Sequence, residues 1–250
     1  MTGRGAAAPL AADVLHRYDW SESSLIVDLF SRELGRVVVA AKGAKRPTSQ
    51  LRAVLRPFQL LHASLGRTSP GAEVHNLRGA EWAGGVPVAG GDALFSGFYL
   101  NELLMKLLAR EDPHPALWDT YAATLARLGS ADEAAALRAF ELRLLREIGL
   151  LPDLAHVTAT QATLQPGASY ALRPEAGLTA APVADSHGLA GQDLLALQTA
   201  LDADDLAALQ RACAAPAAAL RRQLRELLAY HLGAAPLRTR QVLRDLQPLL

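Results

Sequence analysis

Cysteine is almost missing from this chain: Cys213 is the only one in 250 residues. A single thiol excludes an intrachain disulfide and any zinc site built from cysteines, and its expected place is a small gap in the core. No apolar run approaches the roughly 20 residues that a membrane span needs. The start, MTGRGAAAPLAA, is short and broken by Pro9, so it does not read as a signal sequence and the chain is expected to be soluble and intracellular. Catalytic signatures are missing as well. There is no Gly-x-Ser-x-Gly elbow, no His-Glu-x-x-His, no nucleotide fingerprint and no close pair of histidines. His16, His62, His75 and His114 each lack a partner at a useful spacing, so no enzyme is expected. Aromatic residues are scarce, at 5% of the chain. Any grip on flat rings would therefore rest on very few side chains.

Net charge is also absent, but only as a sum. Residues 1–80 hold 11 Lys and Arg against 6 Asp and Glu; residues 81–210 hold 7 against 17; residues 211–250 hold 7 against 2. A polyanion would meet the two ends and avoid the middle, so a neutral total does not exclude nucleic acid as a partner.

What is present begins with SLIVDLFSRELGRVVVAAKGAKR, residues 24–46. It reads as two strands, Leu25–Phe30 and Arg36–Lys42, closed through Gly35, with the run Val37–Val39 as a buried strand. Lys42, Lys45 and Arg46 follow with no acid among them, which fits a phosphate-gripping loop and equally an ordinary solvated loop. A first strand is expected over Asp13–Tyr18, a short helix over Thr48–Leu55 stopped by Pro57, and further strands over Phe58–Leu65 and Glu73–Trp82. Five short strands with one helix between the third and fourth fit an OB barrel, a fold that commonly holds single-stranded nucleic acid. Arg36, Lys42, Lys45, Arg46, Arg52 and Arg56 supply the cations. Trp20, Phe30 and Phe58 are the aromatics available as base platforms.

GGVPVAGG, residues 84–91, reads as a linker, which places an OB-fold domain at 1–83 and a helical domain at 92–250. Helical periodicity runs through Leu94–Ala109, Ala116–Leu128 and Asp132–Ile148, fails in an irregular insert at about 152–190 with one or two short strands, and returns over Gln192–Thr199, Ala203–Cys213 and Ala217–Leu232. The fold class is thus α+β and multidomain: a five-stranded barrel followed by a mainly α-helical domain. Asp202, Asp204 and Asp205 precede a helical run and are expected to cap it rather than bind a metal. Arg221 and Arg225, four apart, project together with Arg222 near them, and Arg238 and Arg240 follow in the tail.

The segments VLHRYDWSESSLIVDLFSRELGRVVVAAKGAKR, LRPFQLL, GFYLNELLMKLL, LRAFELRLLREIGLLPDL and HLGAAPLRTRQVL closely resemble the bacterial RecO recombination-mediator family, in family order and across nearly the whole chain. The resemblance implies a non-enzymatic DNA repair and recombination mediator in the bacterial cytoplasm, associated with the nucleoid. Such a protein binds single- and double-stranded DNA, anneals complementary strands and, with RecR, helps load recombinase onto DNA coated with single-strand-binding protein. Arg36, Lys42, Lys45 and Arg46 match basic positions of the family barrel, and Leu237, Arg238 and Arg240 match its C-terminal motif. Many members carry a four-cysteine zinc module after the segment matching LLREIGLLPDL. Here that region reads AHVTATQATLQPGASYAL, so no metal or other cofactor is expected. The family's docking point for the C-terminal tail of single-strand-binding protein calls for an apolar groove beside a cation, and Leu137, Arg138, Phe140 and Arg143 offer one on the third helix. The competing reading is an adaptor that works mainly by protein binding through the helical domain.

Overall fold

The computed structural model describes residues 8–66, 71–85, 90–182, 188–233 and 237–246. The expected flexible start, the 66–71 turn, the 84–91 linker and the end of the insert lie partly outside the described residues. The chain divides into two compact units, Met1–Ala126 and Arg127–Leu250.

The first unit is built on β1 (Leu10–Asp19), β2 (Leu25–Ser31), β3 (Gly35–Ala41), the one-turn α1 (Leu51–Val54), β4 (Leu60–Leu65) and β5 (His75–Gly84). The strands close into a barrel in the order β1-β2-β3-β5-β4. That order, with a helix between β3 and β4, is the OB arrangement expected from the strand count. β1 serves two neighbours: Ala12–Asp19 pairs with β2 across an irregularity between Val14 and His16, and Leu10–Asp13 pairs with β4. A short parallel pairing, Val39 to His75 and Ala40 to Asn76, closes the barrel between β3 and β5. Odd-numbered residues of β2 and β3 fill the interior: Leu25, Val27, Leu29, Val37, Val39 and Ala41 pack with Leu55, Leu61, Ala63 and Leu77. The expected helix over Thr48–Leu55 is thus a single turn, with Thr48, Ser49 and Gln50 in the turns leading into it.

The outer face of β2 and β3 is buried too. Asp28, Phe30, Val38 and Ala40 are all below a tenth exposed; α2 (Asp92–Leu107) packs on β1 and its C-terminal end takes Arg36 of β3, while α3 (Pro115–Leu125) packs on β2, where Tyr121 meets Phe30. The fastenings are specific. Asn101 Nδ2 donates to the Leu15 carbonyl at 2.7 Å, and Tyr121 Oη donates to Asn101 Oδ1 at 2.7 Å. Trp118 Nε1 donates to the Phe30 carbonyl at 3.2 Å. Gly35, at φ +66°, turns the β2–β3 hairpin so close to the 108–114 segment that a Cβ there would run into the Asp112 carbonyl. This burial on both faces is why VVVAA reads as an unbroken apolar run and not as an alternating strand.

The second unit is organised around α4 (Glu133–Glu147), with α5 (Gly191–Asp202), α6 (Leu206–Ala214), α7 (Ala217–Leu232) and α8 (Arg238–Leu246). The insert forms β6 (Ser169–Arg173), β7 (Gly177–Ala180) and β8 (Leu189–Ala190), a three-stranded sheet in the order β7-β6-β8, one strand more than expected. Side-chain amides fasten it: the Leu172 N–H donates to Gln223 Oε1 at 2.7 Å, and the Leu154 N–H to Gln198 Oε1 at 2.9 Å. The insert is therefore held by buried hydrogen bonds as well as packing. Cys213 is fully buried, and burial pushes its thiol up to about 12, so it is a filler of the core and not a nucleophile. Among the described residues, no helix is long and apolar enough to cross a membrane.

Candidate nucleic-acid interface

Residues 34–72 contain seven Lys and Arg and not one Asp or Glu. Three of those cations, Lys42, Lys45 and Arg46, leave one end of the barrel together. β1, β2 and β3 run as a meander, so the 20–24 loop and the loop after Ala41 leave the same end, where Asp19 pairs with Leu25 and Leu25 with Ala41. α1 follows directly. Lys42, Arg46, Arg52 and Arg56 are exposed on this stretch, as phosphate donors must be.

The two loops are tied together. The Lys45 N–H donates to the Ser23 carbonyl at 2.9 Å and the Gly43 N–H to Ser24 Oγ at 3.4 Å. Lys45 Nζ lies 3.2 Å from Asp19 Oδ2 and donates to the Ser21 carbonyl at 3.1 Å. Lys45 is thus partly spent on fixing the basic loop, while Lys42 and Arg46 remain presented by it.

Arg36 requires a correction. Its side chain is only 14% exposed. Nε holds Asp28 at 2.9 Å, and Nη1 donates to the carbonyls of Met105 and Leu108, at 2.6 and 3.3 Å, at the C-terminal end of α2. A largely buried guanidinium committed to a buried carboxylate and a helix end is a structural clamp and is not presented to a phosphate. Of the aromatics singled out from sequence, Phe30 and Phe58 are core residues, Phe58 packing on Phe98 at 5.1 Å between ring centroids. Trp20 is 57% exposed in the 20–24 loop.

Arg78 and His62, which sequence reasoning did not single out for binding, are exposed on β5 and β4, where they line a groove of about 330 Å³ with Gln50, Leu51, Ser64 and Glu81. The signal for Arg78 was its even position on β5 next to buried Leu77, which turns it outward.

In the second unit α7 buries Leu220, Gln223, Leu224, Leu227 and Leu228, which leaves Arg221, Arg222 and Arg225 exposed on the opposite face. Arg222 Nε is 3.7 Å from Glu226, an exposed pair that constrains it little. Arg238 is exposed at the start of α8; the side chain of Arg240 lies outside the described residues.

The proposed tail-docking set also requires correction. Arg138, Phe140 and Arg143 are buried, and only Leu137 is partly open. α4 is the central helix of its unit, surrounded and not one-sided. Arg138 Nη2 holds Glu141 at 2.7 Å and Arg143 Nη2 holds Asp204 at 2.6 Å, so both guanidinium groups are internal ties. Asp205 accepts from the Ala208 N–H at 2.9 Å and caps α6, as its position predicts. A shallow groove of about 210 Å³ does exist in this unit, lined by Arg127, Asp132, Ala135, Ala207, Gln210 and Arg211.

One buried acid stands out in the first unit. Asp13 is 4% exposed under α2 and α3; burial pushes its carboxyl up to about 7, against the lowering influence of a hydrogen bond from Trp118. Burial likewise holds the Tyr121 phenol well above its ordinary range, with the nearby Asp13 adding to the effect. Both belong to the packing of the helices on the barrel, and neither opens to solvent.

Comparison with known proteins bears on the whole chain. Residues 10–86 match the family model described as Recombination protein O N terminal, and residues 90–241 that described as Recombination protein O C terminal. Proteins named DNA repair protein RecO are similar along nearly their full length. That of Polaromonas naphthalenivorans is 53% identical over 242 residues, covering 95% of this chain and 96% of its own. That of Verminephrobacter eiseniae is 53% identical over 253 residues, covering 98% and 100%. That of Variovorax paradoxus is 51% identical over 250 residues, covering 95% and 96%.

Proposed function

This chain belongs to the RecO family of DNA repair proteins, and from that premise we propose that it is a non-enzymatic recombination mediator. It binds single- and double-stranded DNA through phosphate contacts, anneals complementary strands and, with RecR, helps load recombinase onto DNA coated with single-strand-binding protein. The observation that carries this reading is the acid-free stretch from Leu34 to Ala72, in which Lys42 and Arg46 are exposed on a loop hydrogen-bonded to the 20–24 loop at one end of the barrel, with exposed Arg52 and Arg56 following in and after α1. The boundary between the barrel segment and the helical segment is proposed at 84–91; the ends of the two family models, at residues 86 and 90, support it, although α2 and α3 then fold against the barrel within the first compact unit.

The proposed phosphate contacts are Lys42, Arg46, Arg52 and Arg56, with Lys45 as their brace; Arg36 is left out. Arg221, Arg222, Arg225 and Arg238 are proposed as a second cationic surface, and a second surface suits annealing, which needs two strands held at once. The acidic tail of single-strand-binding protein is proposed to dock at Arg211, in the groove of the helical unit where Ala135 and Ala207 supply small apolar side chains and where Arg127 is already held by Asp132 at 2.7 Å. The protein works in the bacterial cytoplasm, close to the nucleoid.

The test is the salt dependence of DNA binding. Replacing Lys42, Arg46 and Arg52 together by Ala weakens binding and flattens the slope of log K against log salt by about 2 for single strands, at roughly 0.7 per phosphate contact. An unchanged slope would remove this loop from the interface.

A further inference from the structure

OB barrels commonly take a strand across the outer face of their second and third strands. Here that face is closed: Asp28, Phe30, Val38 and Ala40 are all buried, α3 packs on β2, and Arg36 is clamped to the end of α2. A strand held by this barrel must lie elsewhere.

The open loop end carries an aromatic fit for the purpose. Trp20 stands 57% exposed, although a tryptophan usually buries most of its large apolar surface. Its backbone is fixed and not loose: the Trp20 N–H donates to the Ser24 carbonyl at 3.2 Å, and Asp19, beside it, is held by Lys45 at 3.2 Å. The Lys45 contacts to Ser21 and Ser23 bind the Trp20 loop to the basic loop, so an exposed indole and the cations Lys42 and Arg46 are carried by one hydrogen-bonded assembly. Asp19 is matched by Lys45; Glu22 is the other acid of the loop. An indole face beside cations suits a chain of phosphates with free bases, and a duplex, whose bases are already stacked, offers the indole nothing.

We propose that the loop end of the barrel, and not its β2–β3 face, holds unpaired nucleotides of single-stranded DNA, with Trp20 as the platform on which a base stacks. This deepens the DNA-binding reading above and rests on it. The indole decides strand state while the cations decide overall affinity, so the two can be separated by mutation.

The experiment compares fluorescence anisotropy titrations of an oligo-thymidine strand and a blunt duplex of equal length, at one salt concentration, for the wild type, Trp20→Ala, Trp20→Phe and Trp82→Ala. Trp82 is 63% exposed on β5 and serves as a control outside the loop assembly. Trp20→Ala raises the dissociation constant for the single strand roughly tenfold, as expected for loss of one base–aromatic stack, and leaves duplex affinity and the salt slope unchanged. Trp20→Phe recovers most of the loss and Trp82→Ala shows none. Equal weakening for strand and duplex, an equal loss in Trp82→Ala, or no loss in Trp20→Ala would overturn the platform while leaving DNA binding intact. A wild type that binds neither probe would overturn the DNA-binding reading itself.

Discussion

Arg36→Ala is expected to damage folding and to leave DNA contacts alone, the reverse of what its place in a basic hairpin implies. The truncation removes the 2.9 Å partner of Asp28, whose side chain is 5% exposed, together with the donors to the Met105 and Leu108 carbonyls. Removing one member of a buried pair costs about 3–5 kcal/mol, because the other is left as an uncompensated charge. At the several degrees per kcal/mol typical of units this size, the thermal midpoint falls by about 10 °C or more. Asp28→Asn on that background relieves the stranded carboxylate and recovers part of the loss, a coupling that a double-mutant cycle reads directly. The assay is thermal unfolding by circular dichroism, paired with DNA binding measured well below the midpoint. A midpoint within a degree or two of wild type, together with weakened DNA binding, would refute the clamp and return Arg36 to the interface.

Two further outcomes follow from buried charges. The folded-state pKa of Asp13 is raised from 3.8 to about 7, so the folded protein holds a proton that the unfolded chain releases. Stability is therefore lost as pH rises from about 4 to 7, by an amount of order 4 kcal/mol at about 1.4 kcal/mol per unit. Asp13→Asn should accordingly raise the thermal midpoint at pH 8 and change it little at pH 4, and a shift of equal size at both would contradict the assignment. Arg138→Ala is expected to destabilise the helical unit by about 3–5 kcal/mol through loss of the buried Glu141 partner. Exposed Arg211→Ala should instead leave the midpoint in place and weaken an acidic tail peptide in a polarisation titration; the opposite pattern would return the docking site to α4.

The barrel was legible because its strands are short, β-rich and punctuated by Gly and polar turns, and the basic loop because its cations are contiguous. The burial of the outer face of β2 and β3 is written in the same letters. Val37–Val39 reads as a buried strand, but burial on both faces means that something must lie on the outside, and periodicity does not say what. The clamp at Arg36 is not legible in sequence because its partners are remote: Asp28 lies across the hairpin, and the carbonyls it caps come about seventy residues later. The burial of Arg138 and Arg143 is hidden from the sequence for a related reason. An i,i+3 pair such as Arg138–Glu141 looks the same in sequence whether solvated or buried, and the partner that fixes Arg143, Asp204, comes from beyond the next helix. Trp20 was visible as an aromatic within the polar run Asp19–Ser23, but only the Lys45 contacts reveal that its loop is joined to the cations.

The most direct test of the central claim is strand annealing followed by fluorescence energy transfer, with complementary oligonucleotides coated by single-strand-binding protein and neither nucleotide nor metal added. A phosphate-contact mediator accelerates annealing, and the acceleration collapses at high salt and in the Lys42, Arg46 and Arg52 triple alanine variant. Annealing that proceeds no faster with the protein than without it, while the protein still binds both strands, would contradict the account.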